Sequence, residues 1–101
     1  MVMDVKRDYI GDVFGLKEGA KVVLRGWVHD TRDLRKIRFL VLRDMSGRVQ
    51  VTGIDGKTAD GVFGLLDNLK RESVVEVVGV VKKSGQAPGG KEILPSRIDV
   101  I

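Results

Sequence analysis

There is no cysteine in this chain, so disulfides, zinc–thiolate centres and thiol catalysis are excluded, and a reducing compartment fits. Histidine is nearly absent. His29 stands alone, with no nucleophile–base signature and no cluster of metal ligands around it. No apolar run approaches the ~20 residues that cross a bilayer. The N-terminal stretch MVMDVKRDYIGDVF has no apolar core of the signal-peptide kind. These absences predict a soluble, cytoplasmic protein with no membrane partner. Asparagine and glutamine are scarce too, with only Asn68, Gln50 and Gln86 beside 18 Lys and Arg, which leans towards a heat-adapted source.

What is present is a chain of 101 residues, the size of one domain with a modest core. The net charge is +4, and its distribution decides more than its total. Between Arg25 and Arg48 lie seven basic residues (Arg25, Arg32, Arg35, Lys36, Arg38, Arg43 and Arg48) against three acidic ones, Asp30, Asp33 and Asp44. The remainder of the chain holds eleven of each sign, so the whole excess sits in one stretch. A focused positive patch favours a polyanionic partner.

The Val-rich segment KVVLRGWVHDTR (21–32) reads as a strand, DLRKI (33–37) as a turn, and RFLVLRD (38–44) as a second strand. DMSG supplies turn chemistry, and RVQVTGI (48–54) forms a third strand in a hairpin with the second. Val62, Leu65, Leu66 and Leu69 recur at helical spacing, predicting a helix over about 60–71. Asp60 or Thr58 could cap it, Lys70 and Arg71 suit its C-terminal end, and Gly61 and Gly64 weaken it. SVVEVVGVVKK (73–83) is the strongest strand, with Gly79 marking a bend or bulge. The loop SGQAPGG follows, then a last strand KEILPSRIDV (91–100) with Pro95 at an edge or bulge. An all-β chain of five short strands, with one short helix between strands three and four, has the order of an OB-fold Greek-key barrel. Ubiquitin-like and SH3-like arrangements are its rivals. The expected organisation is an N-terminal extension over 1–20 packing on a barrel over 21–101.

Alternation along the strands assigns the faces. Leu40 and Leu42 share one face of the second strand, and Val49 and Val51 one face of the third; these are the predicted core. Phe39 and Gln50 then emerge together on the outer face. If the turn centres on Met45 and Ser46, Val41 pairs with Gln50, and Phe39 becomes the diagonal neighbour of Gln50. An exposed ring among cations is a platform for an unpaired base, worth roughly 1–3 kcal/mol per base stacked. A neighbouring amide can read a base edge. Arg32, Arg35, Lys36 and Arg43 could meet phosphates.

The combination GWVHDTRDL, RF, LRDMSGRVQV, LKRESVVEVVGVV and EILPSRIDVI resembles the N-terminal anticodon-binding domain of archaeal-type aspartyl-tRNA synthetases, from about Lys21 onwards. The resemblance implies that Phe39 stacks on the central U of the anticodon and that Gln50 hydrogen-bonds it. It further implies that Arg32 contacts the anticodon loop and that Glu72 lies near the flanking bases, where a carboxylate could accept from a cytosine amino group. Relatives that accept only the aspartate tRNA look like they carry Trp and Lys where this chain has His29 and Pro88. Those that charge both aspartate and asparagine tRNAs carry His and Pro. The resemblance thus implies relaxed reading of GUC and GUU. Arg35 departs from the family, which usually has Gly there; if the turn needs positive φ, Arg35 costs roughly 1 kcal/mol.

By the same resemblance, the ligation reaction needs a class II catalytic domain of several hundred residues, and ATP and magnesium belong to it. No cofactor and no catalysis are therefore expected of these 101 residues alone. The expected partners are the anticodon loops of tRNA(Asp) and possibly tRNA(Asn), and a catalytic domain if this is an excised piece. Two other readings stay open: a free-standing OB-fold binding single strands without strong sequence preference, and a structural module docking on a synthetase or second subunit.

Overall fold

The computed structural model describes residues 7–101, and the beginning of the expected N-terminal extension lies outside them. Five strands follow the predicted hydrophobic segments: β1 Lys21–Asp33, β2 Ile37–Asp44, β3 Gly47–Ile54, β4 Val74–Lys83 and β5 Lys91–Val100. They close a barrel in the order β1-β2-β3-β5-β4, antiparallel except for the β3–β5 contact. Alternation fills the interior. Val22, Leu24 and Val28 of β1 are buried with Leu40 and Leu42 of β2, Val49 and Val51 of β3, Val75 and Val77 of β4, and Ile93 of β5. The β2–β3 hairpin turns on Met45–Ser46, and Val41 does face Gln50.

Two helices plug the ends of the barrel. The four-residue α1 (Ile10–Val13), which periodicity does not reveal, buries Ile10 and Val13 completely. It is tied to the hairpin turn. The Ile10 N–H donates to Asp44 Oδ2 (2.9 Å) and the Gly11 N–H to Ser46 Oγ (2.8 Å). The second helix, α2 (Asp60–Leu66), is shorter than the predicted 60–71. Beyond Leu66 the chain tightens: the Asp67 and Asn68 N–H groups bond to the carbonyls of Gly64 and Leu65. Leu69 still reaches the core, so burial rather than helical pairing carries that part of the stripe. The expected caps are also overturned. Ala59 stands at the N-cap without a side-chain bond, because the Thr58 hydroxyl accepts the Ile54 N–H instead. Lys70 and Arg71 fall beyond the helix, and Arg71 pairs with Asp30 of β1 at 2.8 Å.

Arg38 ties α2 to the sheet. Its guanidinium lies 4.2 Å from the Phe63 ring centroid and donates to the Phe63 carbonyl at 2.9 Å. Bends fall where anticipated. The β4–β5 register shifts between Val78 and Gly79, and Gly79 faces Pro95. Pro88–Gly90 forms a single 3₁₀ turn in the β4–β5 loop.

Asp44 is the polar pin of this arrangement, with 3% of its surface exposed. Burial pushes its carboxyl up. The N–H groups of Ile10, Ser46 and Gly47 and the Ser46 hydroxyl outweigh that and hold it below the usual value. A depressed folded-state pKa gives stability that is complete above the unfolded aspartate range and lost as pH falls through the folded value. Asp44→Asn is expected to cost about 1.5 kcal/mol at neutral pH. Its urea midpoint should also change less between pH 6 and pH 3 than that of the parent chain, in a denaturation series at both pH values.

Candidate nucleic-acid interface

The outer faces of β1, β2 and β3 and the β4–β5 loop enclose two adjoining cavities. The first, about 510 Å³, is lined by Arg32 of β1, Phe39 of β2, Gln50 and Thr52 of β3, Glu92 of β5 and Gln86 of the loop. Leu34, Ile37 and Ile54 make its apolar end. The second, about 570 Å³, is lined by His29 of β1, Arg48 and Gln50 of β3 and Pro88 of the loop. Asp30, Val41 and Gln50 belong to both.

Phe39 is half-buried, opposite Thr52 on one side and Arg32 on the other. It is therefore the diagonal neighbour of Gln50. Gln50 is held by a small buried network: its Nε2 donates to Thr52 Oγ1 and to Glu92 Oε1, both at 3.2 Å. The Thr52 hydroxyl donates to Glu92 Oε1 at 2.6 Å. With the amide nitrogen engaged by these two acceptors, the carbonyl oxygen of Gln50 remains to accept from a ligand. Thr52 and Glu92 are 4% and 8% exposed, low for polar groups at the base of an open groove.

His29 sits where the β1–β2 register shifts, between Val28 and Asp30. The bulge removes it from the regular pairing and turns it towards the hairpin, 3.2 Å from Arg48 Nη1. Pro88 approaches the same cavity from the loop. The two candidate specificity positions, 59 residues apart in sequence, thus line one space.

The remaining candidates are more dispersed. Arg35 and Lys36 lie in the β1–β2 turn, exposed, and line neither cavity. Arg35 does have positive φ, 69°, stabilised locally by its N–H donating to Asp33 Oδ1 at 2.8 Å. The same bond heads the causes that hold the Asp33 carboxyl below its ordinary value. Arg43 also lines neither cavity; it lies near the hairpin end of β2, opposite Arg48 and over the Trp27 ring at 5.7 Å. Glu72 lines neither cavity; it has φ of 69° and its N–H donates to the Val28 carbonyl, beside the β1 bulge.

The charge of the patch survives folding. Arg25 pairs with Glu76, and Arg38 with Asp33 and Asp67. Among the described residues, Arg32, Arg35, Lys36, Arg43 and Arg48 have no carboxylate within 4.0 Å. Arg32, Arg43 and Arg48 share the outer face, Arg35 and Lys36 stand in the turn beside it, and a polyanion is the partner such unpaired cations suit. Sequence reasoning missed Thr52, Gln86 and Glu92. Thr52 alone left a trace, two residues from Gln50 and so on the same outer face of β3. Among the described residues there is no group of His, Asp and Glu that could hold a metal ion, and no helix is long and apolar enough to cross a membrane.

Residues 22–101 match the profile of a tRNA anticodon family described as an OB-fold nucleic acid binding domain. The chain is 45% identical over 95 residues to the aspartate–tRNA(Asp/Asn) ligase of Archaeoglobus fulgidus, an alignment covering 94% of this chain and 22% of that protein. It is also 45% identical over 83 residues to the aspartate–tRNA(Asp) ligase of Pyrobaculum aerophilum, covering 82% of this chain and 19% of that one. Among solved structures, the asparaginyl-tRNA synthetase of Pyrococcus horikoshii superposes with a TM-score of 0.87 at 35% identity, over 96% of this chain and 22% of that one. The chain spans about a fifth of the length of these relatives. With the barrel, the groove and this match over most of its length, the chain belongs to the tRNA anticodon family of OB-fold nucleic acid binding domains.

Proposed function

We propose that this chain is the anticodon-reading module of an aspartate–tRNA ligase, and that it accepts both GUC and GUU. The observation that carries this reading is Phe39 beside a clamped Gln50 in one groove. The ring stacks on the central uracil. The Gln50 carbonyl oxygen accepts the uracil N3–H, and Glu92 and Thr52 hold the amide in that orientation. Arg32 meets the backbone at the same groove, while Arg35, Lys36 and Arg43 add charge around it. Glu72 plays a lesser part, since it lies beside the bulge rather than in either cavity. His29 and Pro88 bound the space for the last anticodon base, and an imidazole and a proline leave room for either pyrimidine. Binding needs no cofactor. Ligation, with its ATP and magnesium, belongs to the part of the parent enzyme that this chain does not span.

The test is a titration of the chain with hairpins carrying GUC, GUU or GAC, at one salt concentration, followed by anisotropy. GUC and GUU should bind alike and GAC much more weakly. Gln50→Ala should weaken the two U-centred hairpins about tenfold, the size of a good base contact, and leave GAC unchanged. Equal binding of all three hairpins would instead mark a single-strand binder without sequence preference.

A further inference from the structure

We propose that Arg48 is a specificity-determining residue of this surface: with His29 it gives the second cavity a hydrogen-bond donor side that holds the O4 acceptor of a uracil, so that U binds at the last position as well as C does. The inference rests on the anticodon reading above and concerns its last base. It starts from a conflict of charge. Arg43 and Arg48 are directly opposed across the β2–β3 hairpin, where like charges repel. Their guanidinium groups part, Arg43 going over the Trp27 ring and Arg48 going to His29.

A guanidinium has no acceptor, so in the 3.2 Å contact Arg48 Nη1 donates and His29 Nε2 accepts. The ring is thereby fixed as the tautomer with its proton on Nδ1, which makes the free nitrogen of His29 a donor as well. Arg48 keeps further N–H groups and, among the described residues, has no carboxylate within 4.0 Å. Asp30 supplies the acceptor side of the same cavity: its Oδ1 is occupied by Arg71 at 2.8 Å and by the Thr31 N–H at 2.9 Å, and its Oδ2 has no hydrogen bond among the described residues. Pro88, on the facing wall, has no N–H to offer and no charge. The two bases differ at one atom that matters here. Uracil presents a carbonyl oxygen where cytosine presents an NH₂, so a uracil takes its bond from Arg48 and a cytosine gives one to Asp30. Acceptance of U at the last position is then a contact built by Arg48, in addition to the room left by His29 and Pro88.

The experiment uses the whole 101-residue chain, the GUC, GUU and GAC hairpins, and two variants, Arg48→Met and Arg48→Lys. Thermal unfolding by circular dichroism verifies that each variant is folded. The expected result is that Arg48→Met weakens GUU about tenfold, as loss of one charge-assisted bond does, and GUC by less than about twofold. Equal weakening of GUC and GUU, restored by Arg48→Lys, would make Arg48 a phosphate contact and overturn the proposal, as would no change on either hairpin. The parent chain reports separately on the underlying reading. If it fails to separate GUC from GAC, anticodon reading itself falls. If it separates them while Arg48→Met treats GUC and GUU alike, only the role of Arg48 falls.

Discussion

Gly79→Val is expected to remove about 4 kcal/mol of folding stability, enough to threaten a domain of this size. Gly79 is buried in β4, between Val22 of β1 and Pro95 of β5, at the step where the β4–β5 register shifts. A Cβ added there would overlap the Leu94 carbonyl oxygen and lie 2.8 Å from Ile93 Cγ2. Neither neighbour can yield cheaply. Leu94 and Ile93 are paired with Val80 and Val81, and the Ile93 side chain is fully buried in the core. Relief requires breaking the ladder that closes the barrel. Gly64→Ala is the control of opposite sign. Its added Cβ meets nothing within 4 Å, and it replaces a glycine inside α2, so a gain of up to about 1 kcal/mol is expected. Urea denaturation of both variants, with m unchanged, measures the difference. Comparable losses in the two would show that close approach of β5 is not what position 79 requires.

The bulge at Gly79 belongs to the part of the fold that was legible in the sequence. Period-two patterning assigned the core faces of the second and third strands, and the placement of DMSG set the hairpin register that puts Phe39 diagonal to Gln50. Where the outcome rests on local periodicity, the residues suffice. Most of the misses depend on contacts that strand or helix periodicity does not encode. Leu69 continues the helical stripe, yet the chain leaves the helix at Leu66 because the core can be reached without it. Thr58 is used by Ile54 rather than by α2. Arg71 answers Asp30, 41 residues away, instead of a helix end. Glu72 adopts left-handed φ without the glycine or asparagine that usually signals it. In the candidate site, Phe39 and Gln50 could be found because they lie on one hairpin. Glu92 could not, because only the parallel β3–β5 contact brings it beneath Gln50. The Arg48–His29 contact needed the β1 bulge, which no glycine or proline announces.

Phe39→Ala is expected to weaken U-centred hairpins by about 30-fold, the middle of the range for loss of one stacked base, while changing stability by about 1 kcal/mol or less. The two effects separate because Phe39 is half-buried on the outer face and is not among the residues that fill the barrel. The affinity should fall without a change in salt dependence, since a ring releases no counterions. Arg32→Ala, at the position paired with Phe39 across β1 and β2, should do the reverse and lower the slope of log K against log salt by about one. Phe39→Leu decides what the ring contributes. Leucine retains apolar surface but has no π face, so it should bind nearly as weakly as alanine if the ring stacks on a base. Binding by Phe39→Leu at the level of the parent chain would mean that the residue only shapes the groove. Base recognition would then fall to the clamped amide of Gln50, which can select an edge but supplies little of the affinity on its own.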